Sequence, residues 1–286
     1  MMFQRVFEYG ITSVAVTPSL SNVLSGEAAV FKTFGSNAYK MLVKEKVGLV
    51  GSVTRATTRN YKDRGITPMT KMGIFSMLKD AFKEAEDYSH SSGYNSKANS
   101  VKEVLTNDKK LFVNCNTASE MLSVYNLCEE FSVKPIIIGA YGLNNEIIDM
   151  INSNDYELII GDVINGISEA SKKLDYQLVK QLIENNNLVA ISSTGDRMST
   201  GKETLLWNAI MFYKNGLASE KVLKMITYNP AKILGVDDKV GSIEVGKDAD
   251  IVVWSNNPIE TYNSRAEAVF ISGENIIDVW RKGTCW

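Results

Sequence analysis

The segment Val113-Asn114-Cys115-Asn116-Thr117-Ala118-Ser119-Glu120 sets two amides two residues apart, with a thiol between them and an acid four residues after the second. On a strand, alternate side chains share a face, so Asn114 and Asn116 project together while Cys115 points the opposite way as a buried structural thiol. An amide donates and accepts hydrogen bonds, but its neutral, hard oxygen is a weak ligand for transition metals. The other polar groups that follow predicted strands are Tyr141, Asp162, Thr194 and Asp196, with Asn22 in the loop after the first strand. Asp196, taken by itself, reads as an ordinary loop carboxylate. Oxygen-only magnesium binding through Asp162, Glu169 and Asp196 has suitable ligand types, but no phosphate-cradling glycine loop or acidic motif accompanies them. His90 is the only histidine of the 286 residues, so several imidazoles cannot combine into a metal site. It lies in a polar stretch and reads as a solvated surface residue.

These groups need elements to hold them. Ile11 to Thr17 reads as a buried strand, and Pro18 to Gly26 as the loop after it. Thr67 before Pro68 predicts a helix start, with Ile74, Leu78, Ala81, Phe82 and Ala85 at helical spacing up to about Tyr88. Ser89 to Lys110 reads as a loop with at most one short helical turn. From Leu111 onward a unit recurs. Strand Leu111 to Val113 precedes a helix opened by a capping box, Thr117 with Glu120, which buries Met121, Val124, Tyr125 and Cys128. Strands Pro135 to Ile138, Glu157 to Ile160 and Leu188 to Ser192 then alternate with helices near 145–152, 175–185 and 203–215, the last closed by Gly216. Such alternation predicts a parallel sheet covered by helices, in the α/β class, without choosing between a barrel and an open sheet. Short strands at Ile251 to Trp254, Ala268 to Ile271 and Ile276 to Trp280 predict a small β appendage after it.

The chain has 44% apolar and 22% charged residues, enough for one substantial core and a small second domain. With 31 basic against 33 acidic residues the net charge is −2, which gives no general pull on a polyanion and argues against nucleic acid as a partner. The apolar runs are strand-sized, which argues against a membrane-spanning helix, and Met1 to Gly10 does not read as a signal peptide. Cys115, Cys128 and Cys285 are odd in number and widely spaced, so a cytoplasmic location is expected.

Residues 225–258, M-I-T-Y-N-P-A-K-I-L-G-V-D-D-K-V-G-S-I-E-V-G-K-D-A-D-I-V-V-W-S-N-N-P, resemble the C-terminal signature of the metal-dependent amidohydrolase superfamily, close to its imidazolonepropionase-like branch. Read as residues alone, that stretch is turn chemistry: Asn229-Pro230 ends one helix, and Gly241, Gly246 and Asp248-Ala249-Asp250 shape turns before a strand. Gly10 to Pro18, Asn22 to Gly26, Lys32 to Gly35 and Thr70 to Gly73 are similar to earlier family segments. The resemblance implies a TIM-type (β/α) barrel with its active site at the C-terminal strand ends, and a β-sandwich built from both termini. It further implies that the chain starts after the first barrel strand. On this reading residues 1–239 form a barrel incomplete at the N-terminus, and 240–286 a remnant of the sandwich.

Family members hydrolyse non-peptide C–N bonds of small or cyclic amides with water activated on zinc or another divalent metal, held by a His-x-His pair, later histidines and an aspartate. Here Asn114 and Asn116 stand where the family segment V-H-x-H-T-A-x-E has histidines, and Ile138 to Tyr141 supplies no ligand. Thr194 occupies the aspartate's register, and the resemblance makes Asp196, two residues later, the one candidate for a catalytic role as a displaced remnant of that acid. The expectation is therefore no metal cofactor. Without it, water of pKa about 15.7 must replace metal-bound water near 7, a penalty on the order of 10 kcal/mol. The chain is then expected to be catalytically impaired or inactive, its barrel mouth at Asn22, Asn114, Asn116, Tyr141, Asp162 and Thr194 open to a small polar ligand. The alternative is a metal-independent or partner-completed hydrolase of the same bonds. An open barrel edge at Ile11 to Thr17 predicts a homo-oligomer or a separately encoded N-terminal fragment as partner.

Overall fold

The computed structural model describes residues 6–89, 94–163, 174–193 and 204–281. A 3₁₀ turn at Val6–Tyr9 leads into strands β1 (Ser13–Val16) and β2 (Leu24–Lys32), the short helix α1 (Ala38–Met41) and strand β3 (Leu42–Ser52). Helices α2 (Arg55–Asp63), α3 (Lys71–Asp87) and α4 (Ser96–Leu105) precede β4 (Lys110–Cys115). Then come α5 (Ala118–Glu130), β5 (Pro135–Gly139), α6 (Asn145–Asn154), β6 (Leu158–Ile160), α7 (Tyr176–Glu184) and β7 (Val189–Ile191). The chain continues through α8 (Thr204–Lys214), α9 (Ser219–Ile226), α10 (Tyr228–Leu234), β8 (Ile251–Trp254), β9 (Ala266–Ile271), β10 (Glu274–Asn275) and α11 (Ile276–Arg281).

Strands β1 to β7 form one sheet in sequence order. The pairs β1–β2 and β2–β3 are antiparallel, while β3 through β7 are parallel. The parallel order follows from the alternation of apolar strands with amphipathic helices, since each crossover must carry the chain back along a covered face. Both faces are buried. Leu49, Leu111, Val113, Ile137, Leu158 and Ile160 pack against the helices, while Val50, Phe112, Ile136 and Ala190 fill the opposite face with Ala231 and Ile233 of α10. In the described sheet β1 and β7 are the two ends and do not pair with each other, so it is a run of strands rather than a closed ring. Asn229 Nδ2 donates to the Val189 carbonyl at 2.7 Å, satisfying one acceptor at the β7 end.

A second, three-stranded antiparallel sheet orders as β10-β9-β8. Its core joins Val269, Ile271, Ile276 and Ile277 to Phe7 near the start of the described chain. Lys32 of β2, buried, pairs at 2.8 Å with both Asp248 and Asp250, tying this part to the large sheet.

Five sequence expectations change. Ser89 to Lys110 contains a real helix, α4, capped by Asn95, whose side chain accepts from Lys97 and Ala98. Its buried stripe is only Ala98, Val101 and Val104, too sparse among polar neighbours to stand out. Helix α3 begins at Lys71 rather than beside Thr67, because the Thr70 hydroxyl accepts from Gly73 N and so supplies the cap. Ile276 to Trp280 is helical, not a strand. Ladder pairing stops after Glu274 and Asn275, and Ile276 and Ile277 bury in the small core. The loop expected through Gly26 is already strand from Leu24, and Asn229-Pro230 lies inside α10. No helix among the described residues is long and apolar enough to cross a membrane.

Candidate functional site at the C-terminal strand ends

In a parallel sheet every strand finishes on the same side, so the residues just past β3 to β7 gather at one edge. Register pairs Ser52 with Asn114, Cys115 with Gly139, Gly139 with Ile160, and Ile160 with Ile191. Phe112 lies on the face opposite the main helix layer, so Asn114, two residues on, shares that face, and Cys115 is fully buried in the helix-side core. The Cys115 thiol is pushed well above its ordinary pKa, first by burial and then by the Glu120 charge, so it is no nucleophile at neutral pH.

Asn114 and Asn116 lean over the end of β5. A Cβ at Gly139 would lie 2.8 Å from Asn116 Oδ1, 2.8 Å from the Cys115 carbonyl and 3.0 Å from Asn114 Oδ1. With φ of +97°, that backbone suits only glycine, and the space a side chain would fill is left to the two amides. Neither amide side chain has a hydrogen-bond partner among the described residues.

Tyr141 folds over the next strand end in the same manner. Its hydroxyl lies against the position a Cβ at Gly161 would take, and it donates to the Asp162 carbonyl at 3.2 Å. Burial, with the Asp162 charge second, pushes its pKa up to about 12, so it remains a neutral phenol. Asp162 is 1% exposed, and its Oδ1 accepts from Asn208 Nδ2 at 3.0 Å, while Asn208 Oδ1 accepts from Val163 N at 3.1 Å. Asn22 sits beside the β3 end, its Oδ1 accepting from Asn60 Nδ2 at 3.3 Å, with Val23 O taking Ser52 N at 3.2 Å. Thr194, Asp196, Glu169, His90 and Cys285 lie outside the described residues.

Several residues at this edge escaped sequence reading. Ser52, Thr54 and Thr57 form a buried hydroxyl cluster, with Thr57 Oγ1 donating to Ser52 Oγ at 2.8 Å. A hydroxyl residue before a helix, Thr54, was the available signal. Asn208 comes from a distant helix and carried none. Glu120 was read as a cap and proves to be a buried hub. Its Oε2 accepts from Asn116 N at 2.8 Å and Thr117 N at 3.1 Å, and its Oε1 pairs with Lys71 at 2.6 Å. That hub fixes the backbone from which Asn116 projects.

The described donors are not a zinc set. They include the neutral amides of Asn22, Asn114 and Asn116, a phenol and one carboxylate already bound by an amide, and no three His, Cys, Asp or Glu side chains converge among the described residues. The arrangement offers directional hydrogen bonding at a buried edge instead.

Residues 167–285 match the model of the Amidohydrolase family. A 5-methylthioadenosine/S-adenosylhomocysteine deaminase of Desulforudis audaxviator (strain MP104C) is 40% identical over 60 residues, 20% of this chain and 14% of that protein. An imidazolonepropionase of Legionella pneumophila (strain Corby) is 26% identical over 111 residues, 39% of this chain and 27% of that protein. The matched stretches thus span under a third of these curated relatives' lengths. The crystal structure of an amidohydrolase from Thermotoga maritima MSB8 superposes with a TM-score of 0.86 at 27% identity, covering 96% of this chain and 74% of that one. Together these likenesses support the amidohydrolase superfamily.

Proposed function

We propose that this chain uses an amidohydrolase scaffold to bind a small amide or cyclic amide at its C-terminal strand ends, without the superfamily's metal-based hydrolysis. The observation that carries the reading is the pair Asn114 and Asn116, two amides over Gly139 with no partner among the described residues. Each offers one carbonyl acceptor and an NH₂ donor, the complement of an amide edge. Tyr141, with its pKa pushed up to about 12, stays neutral, donates its O–H hydrogen bond to the Asp162 carbonyl and keeps oxygen lone pairs for a ligand N–H. Asn22 extends the polar edge toward β3, and Thr194 belongs to the same proposed set. Nothing in this donor set brings a water pKa near neutrality, so the expected outcome is binding without turnover.

The test is titration of the purified chain with 2-pyrrolidone and hydantoin by calorimetry or amide NMR, alongside elemental analysis. Binding that disappears in Asn114→Ala and Asn116→Ala, with the fold retained, supports the reading. No binding at any attainable concentration, or stoichiometric zinc in the purified protein, overturns it. A second reading is favoured by the relatives' names, which include imidazolonepropionase, a deaminase and dihydroorotase. It makes the chain a hydrolase of non-peptide C–N bonds, with Asp196 as general base. Ring opening of hydantoin that persists in a chelator and is lost in Asp196→Asn would establish that activity.

A further inference from the structure

Away from the strand ends, the segment running from α2 into α3 presents a surface with two unmatched charge patterns. On α2, Thr57 bonds Ser52, Asn60 bonds Ser21 and Tyr61 packs on the main core, so these residues mark the inward face. Arg55, Arg59 and Lys62, spaced four and three apart, share the outward face, and Arg64 follows at the C-cap. None of the four has an acidic partner among the described residues, and Asp63 is the only acid within this helix.

On α3 an open groove of about 620 Å³ runs along one face, lined by Pro68, Met69, Gly73, Met77, Asp80 and Glu84 among others, with no cation in its lining. Its two carboxylates make only long contacts of 3.5 Å, Asp80 with Ser76 and Glu84 with Asn95. Around it stand exposed apolar side chains: Met72 at 85%, Ile66 and Met69 at 43%, and Met77 at 38%. Such clustering on one segment marks a contact surface more often than scattered surface apolar residues do.

The two patterns are complementary, but consecutive helices packed side by side cannot turn their outward faces onto each other. A twofold axis can. We propose that this surface docks a second copy of the chain, the basic face of α2 in each copy lying against the acidic, methionine-lined groove of α3 in the other. Such an isologous contact satisfies both patterns at once. It sets Ile66 and Met69, on the loop joining the helices, near the axis as an apolar centre, with ion pairs on either side. Arginine stems lie along methionine side chains while their guanidinium groups reach Asp80 and Glu84.

Sedimentation velocity of the full chain at about 50 μM should show a species of twice 31.7 kDa. Its dissociation constant should rise about tenfold in roughly 0.5 M salt. R55E/R59E puts two acids on the α2 face, beside Lys62 and Arg64, against the acidic groove, and D80K/E84K gives a copy whose two patterns are both basic. Each should self-associate at least tenfold more weakly, while an equimolar mixture of the two should form a heterodimer tighter than either variant's homodimer. All substituted positions are exposed, and matching circular dichroism and melting temperatures verify that the variants fold. A wild-type monomer at about 100 μM, a dimer indifferent to both charge reversals, or a mixture that fails to pair would each overturn the proposal.

Discussion

Tyr125 stacks on Tyr156 with ring centroids 4.4 Å apart and planes within 4°, yet its hydroxyl is buried without a hydrogen-bond partner among the described residues. Burial pushes that phenol far above its ordinary pKa, which fits an oxygen that has exchanged water for carbon. Tyr125→Phe keeps the stacking and removes the orphaned group, so it should stabilise the fold by about 1 kcal/mol in urea unfolding. A loss of stability instead would mean that the hydroxyl has found a partner. Gly139 makes the opposite prediction. Gly139→Ala brings a Cβ against a backbone carbonyl and both amides at a φ of +97°, so it should cost on the order of 2 kcal/mol. It should also weaken binding of the amide probes, because the space the asparagines occupy is the space the methyl takes.

Among the elements, the turn from β4 into α5 does most to fix the candidate site. Thr117 Oγ1 accepts from Glu120 N, and Glu120 accepts from the Asn116 and Thr117 amides, closing a reciprocal cap. Glu120 is 3% exposed, so its loss leaves two backbone donors and the Lys71 ammonium without their acceptor. Glu120→Ala should therefore cost about 3 kcal/mol, against about 1 kcal/mol for Thr117→Ala and less than about 1 kcal/mol for Lys71→Met, whose side chain is half exposed. Chemical denaturation of the three variants checks that order. Equal losses for Glu120→Ala and Lys71→Met would show that the ion pair, not the cap, holds the turn.

Across the whole molecule, one buried cluster and one set of buried protons dominate. Asp250 is nearly inaccessible, pairs with Lys32 at 2.8 Å, and accepts from Ser272 N at 3.0 Å and Ser13 Oγ at 3.4 Å. Asp250→Ala leaves the buried Lys32 ammonium with only the partly exposed Asp248, so it should cost about 3 kcal/mol and loosen the small sheet, seen as earlier proteolysis after residue 239. At high pH, burial raises Cys128 from 9 to about 12, Tyr141 from 10 to about 12, and Cys115 well above its ordinary value of 9. The folded state thus keeps protons that the unfolded chain releases, and stability must fall with pH in that window. The expected profile is flat below about pH 9 and declines from about 9 toward about 12. Urea midpoints that rise between pH 9 and 11 would contradict it.

The elements legible in the sequence were those whose determinants are local. The capping box at Thr117 and Glu120, the positive-φ glycine at Gly216 and the helical stripe of α3 each depend on residues within a few positions of one another. So does the opposite facing of Asn114 and Cys115, which strand alternation alone dictates. Where the local signal was sparse or ambiguous the reading failed, as in α4 with three buried residues and in α11 with its short apolar run. The amidohydrolase resemblance pointed to the strand-end edge and to the asparagines in place of histidines. What the sequence could not supply was convergence. That Asn208 would meet Asp162 from 46 residues away, that Lys32 would bury itself between Asp248 and Asp250, or that Gly139 and Gly161 would make room for side chains of neighbouring strands depends on sheet order and packing. Those contacts are set when separate strands come into register, and no spacing along the chain encodes the distance between them.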